Sequence, residues 1–232
     1  LLKNELEGRK GPSMDKTSDA EEKFTSSLEF VLTGAQKRTW EEIRSDLKGN
    51  RPMRRLLQGD VGSGKTLVGA LSALHAHENG WQTAFMCPTE ILAEQHHLSL
   101  SEWFSSLGLS VELLTGSTKS SERKEIITKL KSGEINILVG THALFQKDVI
   151  FNCLGLTVID EQHRFGVHQR FSMLEKGGTD NHSPHQLIMT ATPIPRTLAM
   201  TVYGSLETSI IDEMPPGRKP VETSARPNSL RE

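Results

Sequence analysis

The chain has 232 residues and 35% hydrophobic content, enough for one substantial α/β domain with extensions and too few for two tandem motor domains. Its formal charge of −2 excludes a global basic field, so any nucleic-acid contact must come from local patches or from parts outside this chain. No apolar run reaches the roughly 20 residues of a membrane span, the first residues lack a signal pattern, and Cys87 and Cys153 are too few and too scattered for a disulfide scaffold or a structural metal, which fits a reducing compartment.

Residues 1–29 are polar and mixed in charge, with Gly8, Gly11, Pro12, Ser13, Thr17 and Ser18 but no sustained apolar period, and read as a linker or polar extension. The domain proper is expected over 30–214. Trp40, Ile43 and Leu47 fall at helical spacing behind Thr33-Gly34-Ala35-Gln36, which predicts a short helix starting near Thr33. Gln36, in its first turn, carries an amide suited to an adenine edge, although such a residue alone is more often on the surface.

From Met53 onward strands and helices alternate. The pattern predicts strands over 55–58, 82–87, 111–114, 135–139, 156–159 and 186–190, an edge strand over 207–211, and helices over 65–78, 89–106 and 120–130. Buried apolar strands joined by helices imply an α/β fold with a mostly parallel sheet and helices on both faces. Ligands of such sheets collect at the carboxyl ends of the strands, and Gly59, Pro88, Gly140, Asp160 and Ala191 each stand just past a predicted strand. The polar stretch 177–184 reads as a mobile loop, and the proline-rich 215–232 as a connector leaving the domain.

The central motif is Gly59-Asp60-Val61-Gly62-Ser63-Gly64-Lys65-Thr66, which satisfies G-x-x-x-x-G-K-[ST] between a predicted strand and helix. Gly59, Gly62, Ser63 and Gly64 suit a turn whose backbone N–H groups face a polyphosphate. Lys65 can reach the β- and γ-phosphates of ATP, and the Thr66 hydroxyl can ligate Mg²⁺ at a helix N-terminus. The second motif is Thr157-Val158-Ile159-Asp160-Glu161-Gln162-His163, an apolar strand ending in two carboxylates. Mg²⁺ takes one or two carboxylates plus phosphates, so Asp160 is the metal candidate and Glu161 the residue that orients and polarises the attacking water. A helix cap at Asp160 is the competing role. Gln162 and His163 extend the cluster, and Thr190 and Thr192, at the end of the next strand, suit passage of information from phosphate to nucleic acid.

These runs, with Thr190-Ala191-Thr192-Pro193-Ile194-Pro195-Arg196-Thr197, resemble the RecG family of superfamily-2 branch-migration helicases over residues 30–221. The resemblance extends to the opening segment 32–38, to Pro88-Thr89-Glu90-Ile91-Leu92-Ala93-Glu94-Gln95-His96 as motif Ia, and to Val139-Gly140-Thr141-His142-Ala143-Leu144 as a later DNA-contacting motif. Asp-Glu-Gln-His at 160–163 separates it from the transcription-repair coupling factor and the replication-restart helicase, which carry other residues there. The resemblance implies a RecA-like P-loop NTPase domain using ATP and Mg²⁺ to move on branched DNA such as forks and Holliday junctions. It implies Thr89, Glu90, Gln95, Thr115, Gly116, Thr141 and His142 as DNA contacts, and Thr190, Thr192 and Arg196 as coupling residues. It further implies two partners within a longer protein: a second RecA-like domain that supplies arginines, and a wedge domain. This chain alone is therefore expected to hydrolyse ATP weakly or not at all. A bacterial cytoplasm or nucleoid is the expected setting, or a plastid or mitochondrion for a eukaryotic homologue; no membrane role is expected. Rival readings are a transcription-coupled translocase and an inactive nucleotide-dependent interaction module.

Overall fold

In the computed structural model, residues 10–161, 182–192 and 206–215 are described. Helix α1 (Ala20–Ser27) and helix α2 (Gly34–Leu47) lead into β1 (Arg54–Gly59), α3 (Lys65–Glu78), β2 (Gln82–Met86) and α4 (Glu90–Phe104). Then follow β3 (Val111–Leu114), α5 (Ser120–Ser132), β4 (Ile137–Gly140), β5 (Leu154–Asp160), β6 (His185–Thr190) and β7 (Glu207–Ile211), with short 3-10 turns at Ser105–Leu107 and His142–Phe145. The strands form one sheet in the order β3-β4-β2-β5-β6-β1-β7, and every pairing is parallel. The predicted edge strand, β7, sits at the edge.

The two-residue period of the strands sorts their apolar side chains between two cores. Leu57, Phe85, Val139, Val158 and Met189 join Val68 and Leu71 of α3 and Leu100 of α4 on one face. Ala84, Met86, Leu138 and Ile159 join Ile126 and Leu130 of α5 on the other. Each central strand is therefore apolar on both sides, which is why it reads as a continuous hydrophobic run and why helices must cover both faces.

The N-terminal expectation needs correction, because residues 10–27 are packed rather than a linker. Phe24 of α1 is fully buried, stacked on Phe104 at 5.2 Å and edge-on to Trp103 at 6.4 Å, and Met14 is equally buried. Ala20, Phe24 and Leu28 form a one-turn-per-step apolar row that polar neighbours obscure in the sequence. Two buried histidines hold the segment before it. His75 Nε2 donates to the Met14 carbonyl at 2.9 Å, and His185 Nε2 donates to that of Pro12 at 2.7 Å. His185 Nδ1 in turn accepts the Met53 N–H at 2.8 Å, so the ring is a neutral tautomer joining the N-terminal segment to the starts of β1 and β6. Burial pushes the His185 pKa down to about 4.

Candidate functional site

The phosphate loop joins the carboxyl end of β1 to α3, and its shape comes from two glycines in the left-handed region, Gly62 at φ 80° and Gly64 at φ 91°. A Cβ on Gly64 would sit 2.2 Å from Gln36 Nε2, so a side chain is excluded there by contact as well as by backbone angle. Gln36 is buried, and its Nε2 donates to the Ser63 carbonyl at 2.7 Å. Its Oε1 accepts the Thr33 N–H at 2.9 Å while Thr33 Oγ1 accepts the Gln36 N–H, a complete capping box at the start of α2. Gln36 is thus not a surface amide. It locks the loop to the helix that precedes it.

Two features of this loop lack a side-chain partner among the described residues. Gly64 caps α3 without any side-chain acceptor, and the Ser63 Oγ is buried without a partner. A helix N-terminus leaves its first N–H groups unpaired and carries about half a positive charge, so the arrangement fits an anion. Lys65 Nζ donates to the carbonyls of Gly59 at 2.7 Å and Asp60 at 3.0 Å, folded back onto its own loop. Its pKa is lowered, chiefly by burial, and this is opposed by the charges of Asp160, Glu161 and Asp60.

The strand pairing places the second motif near the first. Asp160 ends β5, next to β6, whose other neighbour is β1. With strands about 4.8 Å apart, the acidic pair lies two strand spacings, roughly 10 Å, from the phosphate loop, with β6 between them. Asp160 is buried, and its Oδ2 accepts from His96 Nε2 at 2.9 Å. Glu161 adopts φ 49°, the one positive value among described non-glycine residues, a conformation that costs on the order of 1–3 kcal/mol. Its N–H donates to the Met189 carbonyl at 2.9 Å, and its carboxylate accepts the Ala191 N–H at 3.0 Å and the Thr190 hydroxyl at 3.3 Å. Thr190 Oγ1 also accepts the Thr192 N–H at 3.1 Å, so Thr190 and Thr192 do converge on the acidic motif. The segment that Asp160 would cap lies outside the described residues, and within them its carboxylate is bonded to His96 of α4. The oxygens of Thr66 and Asp160 fit the hard-oxygen shell that Mg²⁺ prefers, and the donor-rich loop fits polyphosphate.

His96 belongs to this site and was missed by the sequence reading. Its signal was a polar side chain on the stripe of α4 that otherwise carries buried Ala93, Leu100 and Phe104. Gln162, His163 and Arg196 lie outside the described residues.

A second cluster forms at the carboxyl ends of β2, β3 and β4. Thr89 caps α4, its Oγ1 accepting the Leu92 N–H at 3.3 Å. Glu90 accepts the Ser117 N–H at 3.2 Å and the Ser117 hydroxyl at 2.8 Å, bracing the loop that holds Thr115 and Gly116. A Cβ on Gly116 would come within 4.0 Å of the His142 ring, so the loops after β3 and β4 touch. Thr141 is buried with its hydroxyl unpartnered within the described residues. Of the predicted DNA contacts, Thr89, Glu90, Thr115, Gly116, Thr141 and His142 come together, whereas Gln95 stands apart on the exposed side of α4. On the basic helix α5, Arg123 is paired with Asp148 at 2.9 Å and Lys129 with Glu125 at 2.7 Å, which spends two of its cations locally.

The family model for DEAD/DEAH box helicases matches residues 33–201. ATP-dependent DNA helicase RecG of Pasteurella multocida is 57% identical over 208 residues, covering 90% of this chain and 30% of the relative. RecG of Synechocystis is 59% identical over 203 residues, covering 88% and 24%. This chain therefore spans less than a third of the length of the curated relatives it matches. A solved structure of RecG bound to a three-way DNA junction matches with TM-score 0.83 and 47% identity, over 95% of this chain and 29% of that one. The DUF1998 helicase MrfA bound to DNA matches with TM-score 0.64 over 89% and 31%, at 18% identity, and shares the fold. The RecA-like α/β architecture expected from the sequence is the one observed.

Proposed function

This chain belongs to the DEAD/DEAH box helicase family, and from that premise we propose that it is the ATP-binding motor domain of a DNA helicase similar to RecG, acting on branched DNA such as forks and Holliday junctions. The observation that supports the reading is the sheet register: β1 and β5 flank β6, with Gln58 opposite Thr190 and Asp160 opposite Met189, so that both motifs leave the same edge of the sheet. In this reading the loop N–H groups and Ser63 hold the phosphates, and Lys65 exchanges its two carbonyl partners for the β- and γ-oxygens. Thr66 and Asp160 hold Mg²⁺, which when bound neutralises charge on the phosphoryl oxygens. Glu161 orients the attacking water and accepts its proton. Thr190 and Ala191, bound to the Glu161 carboxylate, report its state to the rest of the domain.

The second cluster supplies the nucleic-acid surface. Its hydroxyls and backbone N–H groups suit phosphate oxygens, which position a protein on DNA without reading sequence. The junction-bound RecG structure supports branched DNA as the substrate class. Two partners within a longer protein complete the reading: a second RecA-like domain carrying arginines, and a wedge domain that grips the junction. The relatives come from bacteria, which supports a nucleoid setting.

Titrating Mg·ATP into this chain and into its Lys65→Ala variant tests the reading. We expect at least a tenfold loss of affinity in the variant, and equal affinities would remove the phosphate cradle. ATPase of the full-length protein should rise with forked DNA. Stimulation by RNA alone would remove the DNA assignment.

A further inference from the structure

We propose that His96 is a positioning residue for Asp160, so that the metal carboxylate moves with helix α4. The inference rests on the motor-domain reading above. His96 Nε2 donates to Asp160 Oδ2 at 2.9 Å, and both side chains are largely buried, 12% and 13% exposed. The imidazole is itself fixed, its ring centroid 5.1 Å from that of the fully buried Phe85. Phe85 lies on β2, paired with Val158 two residues before Asp160, so ring, strand and carboxylate form one packed unit. The hydrogen bond commits one carboxylate oxygen and its rotamer, and leaves the other for the metal shell.

Helix α4 gives this bond a second consequence. Six residues before His96, and about 9 Å along the axis, Glu90 braces the loop after β3. One residue after it, His97 Nε2 donates to the Val111 carbonyl at 3.3 Å. The helix thus bears on the proposed nucleic-acid surface at its N-terminus and on the metal carboxylate two turns later. A shift of α4 on engaging DNA carries His96, and with it Asp160. A histidine that served packing alone would need no acidic partner, and a surface histidine would not be packed against a core phenylalanine.

The test uses the full-length protein, wild type and His96→Ala, with a fluorescent ATP analogue titrated in Mg²⁺ and in EDTA. Groups that orient a metal ligand typically contribute 10- to 100-fold. We expect equal affinities in EDTA, a loss of roughly tenfold or more in the gain that Mg²⁺ confers, and a matching loss in the fold-stimulation of ATPase by forked DNA. His96→Gln, which keeps an N–H donor at similar reach, should recover part of both and serves where the alanine variant is unfolded by circular dichroism. An unchanged Mg²⁺ gain, or unchanged fold-stimulation, in a folded His96→Ala protein would overturn the proposal. If wild type itself showed no Mg²⁺ gain and no difference from Lys65→Ala, the motor reading would fail first, and this inference with it.

Discussion

The two ends of the sheet's carboxyl edge solve different problems. After β1 the protein leaves a helix start without a side-chain cap and a buried Ser63 hydroxyl without a partner among the described residues, with Lys65 held on the carbonyls of its own loop. At β2, β3 and β4 the loops brace one another, with Thr89 capping its own helix and Glu90 taking both donors of Ser117, and the buried Thr141 hydroxyl is the exception without a partner among the described residues. A site for one small anion must be organised before the ligand arrives, because reorganisation at binding would consume its affinity. A surface for a polymer backbone makes many exchangeable contacts, and can stay satisfied until the polymer replaces them.

The largest effect should come from the first end alone. Glu161→Gln keeps the side chain's shape and its acceptor for the Ala191 N–H, but removes the carboxylate that takes the proton of water. General-base assistance is worth about 10²–10⁴ in rate, so single-turnover hydrolysis by the full-length protein should fall by that factor. Affinity for forked DNA, measured by anisotropy without nucleotide, should stay within about twofold. A parallel loss of DNA affinity would show that the ends are one site and break the comparison.

How much of this was legible in the sequence depends on the range of the interactions. Strands and helices came through because a two-sided core writes continuous apolar runs, and α3 was predicted with its observed bounds, Lys65–Glu78. The phosphate loop and acidic pair were legible because their chemistry is local: each lies in one short run of residues. What was not legible is non-local. The role of Gln36 depends on Ser63, 27 residues away, and that of His96 on Asp160, 64 residues away. Likewise residues 10–14 looked like a linker because their partners, His75 and His185, are backbone-directed side chains far along the chain. The place of Glu90 in a motif suggests DNA contact, and its two hydrogen bonds to Ser117, 27 residues away, add the work of bracing a loop.

Acid should strike both ends together. His185 joins the starts of β1 and β6 at the opposite edge of the sheet, and burial lowers its pKa from 6.5 to about 4. The folded state favours the neutral ring, so the unfolded chain binds more protons between those values. Its contribution is complete above about pH 6.5 and is lost as pH falls toward 4, amounting to roughly 2 kcal/mol at pH 5. His75, whose pKa is also lowered mainly by burial, adds in the same direction. Urea unfolding at pH 7.5 and 5 should show this loss, and His185→Gln should flatten the dependence while lowering stability at pH 7.5. An unchanged pH dependence in that variant would remove His185 as the cause.

The smallest effect sharpens the second end. Glu90 sets a carboxylate beside Thr115, Gly116 and His142, where a DNA phosphate would meet like charge. Its hydrogen bonds to Ser117 brace the loop, and Gln at this position can keep the N–H bond through its carbonyl oxygen while losing the charge. Exposed charge interactions are worth about 0.2–1 kcal/mol, so Glu90→Gln should tighten DNA binding by about 1.4- to fivefold at low salt, with the gain shrinking as salt rises. Nucleotide affinity should not change. If DNA affinity fell instead, the charge itself would be what holds the loop in its DNA-ready shape, and this end would be as pre-organised as the phosphate site.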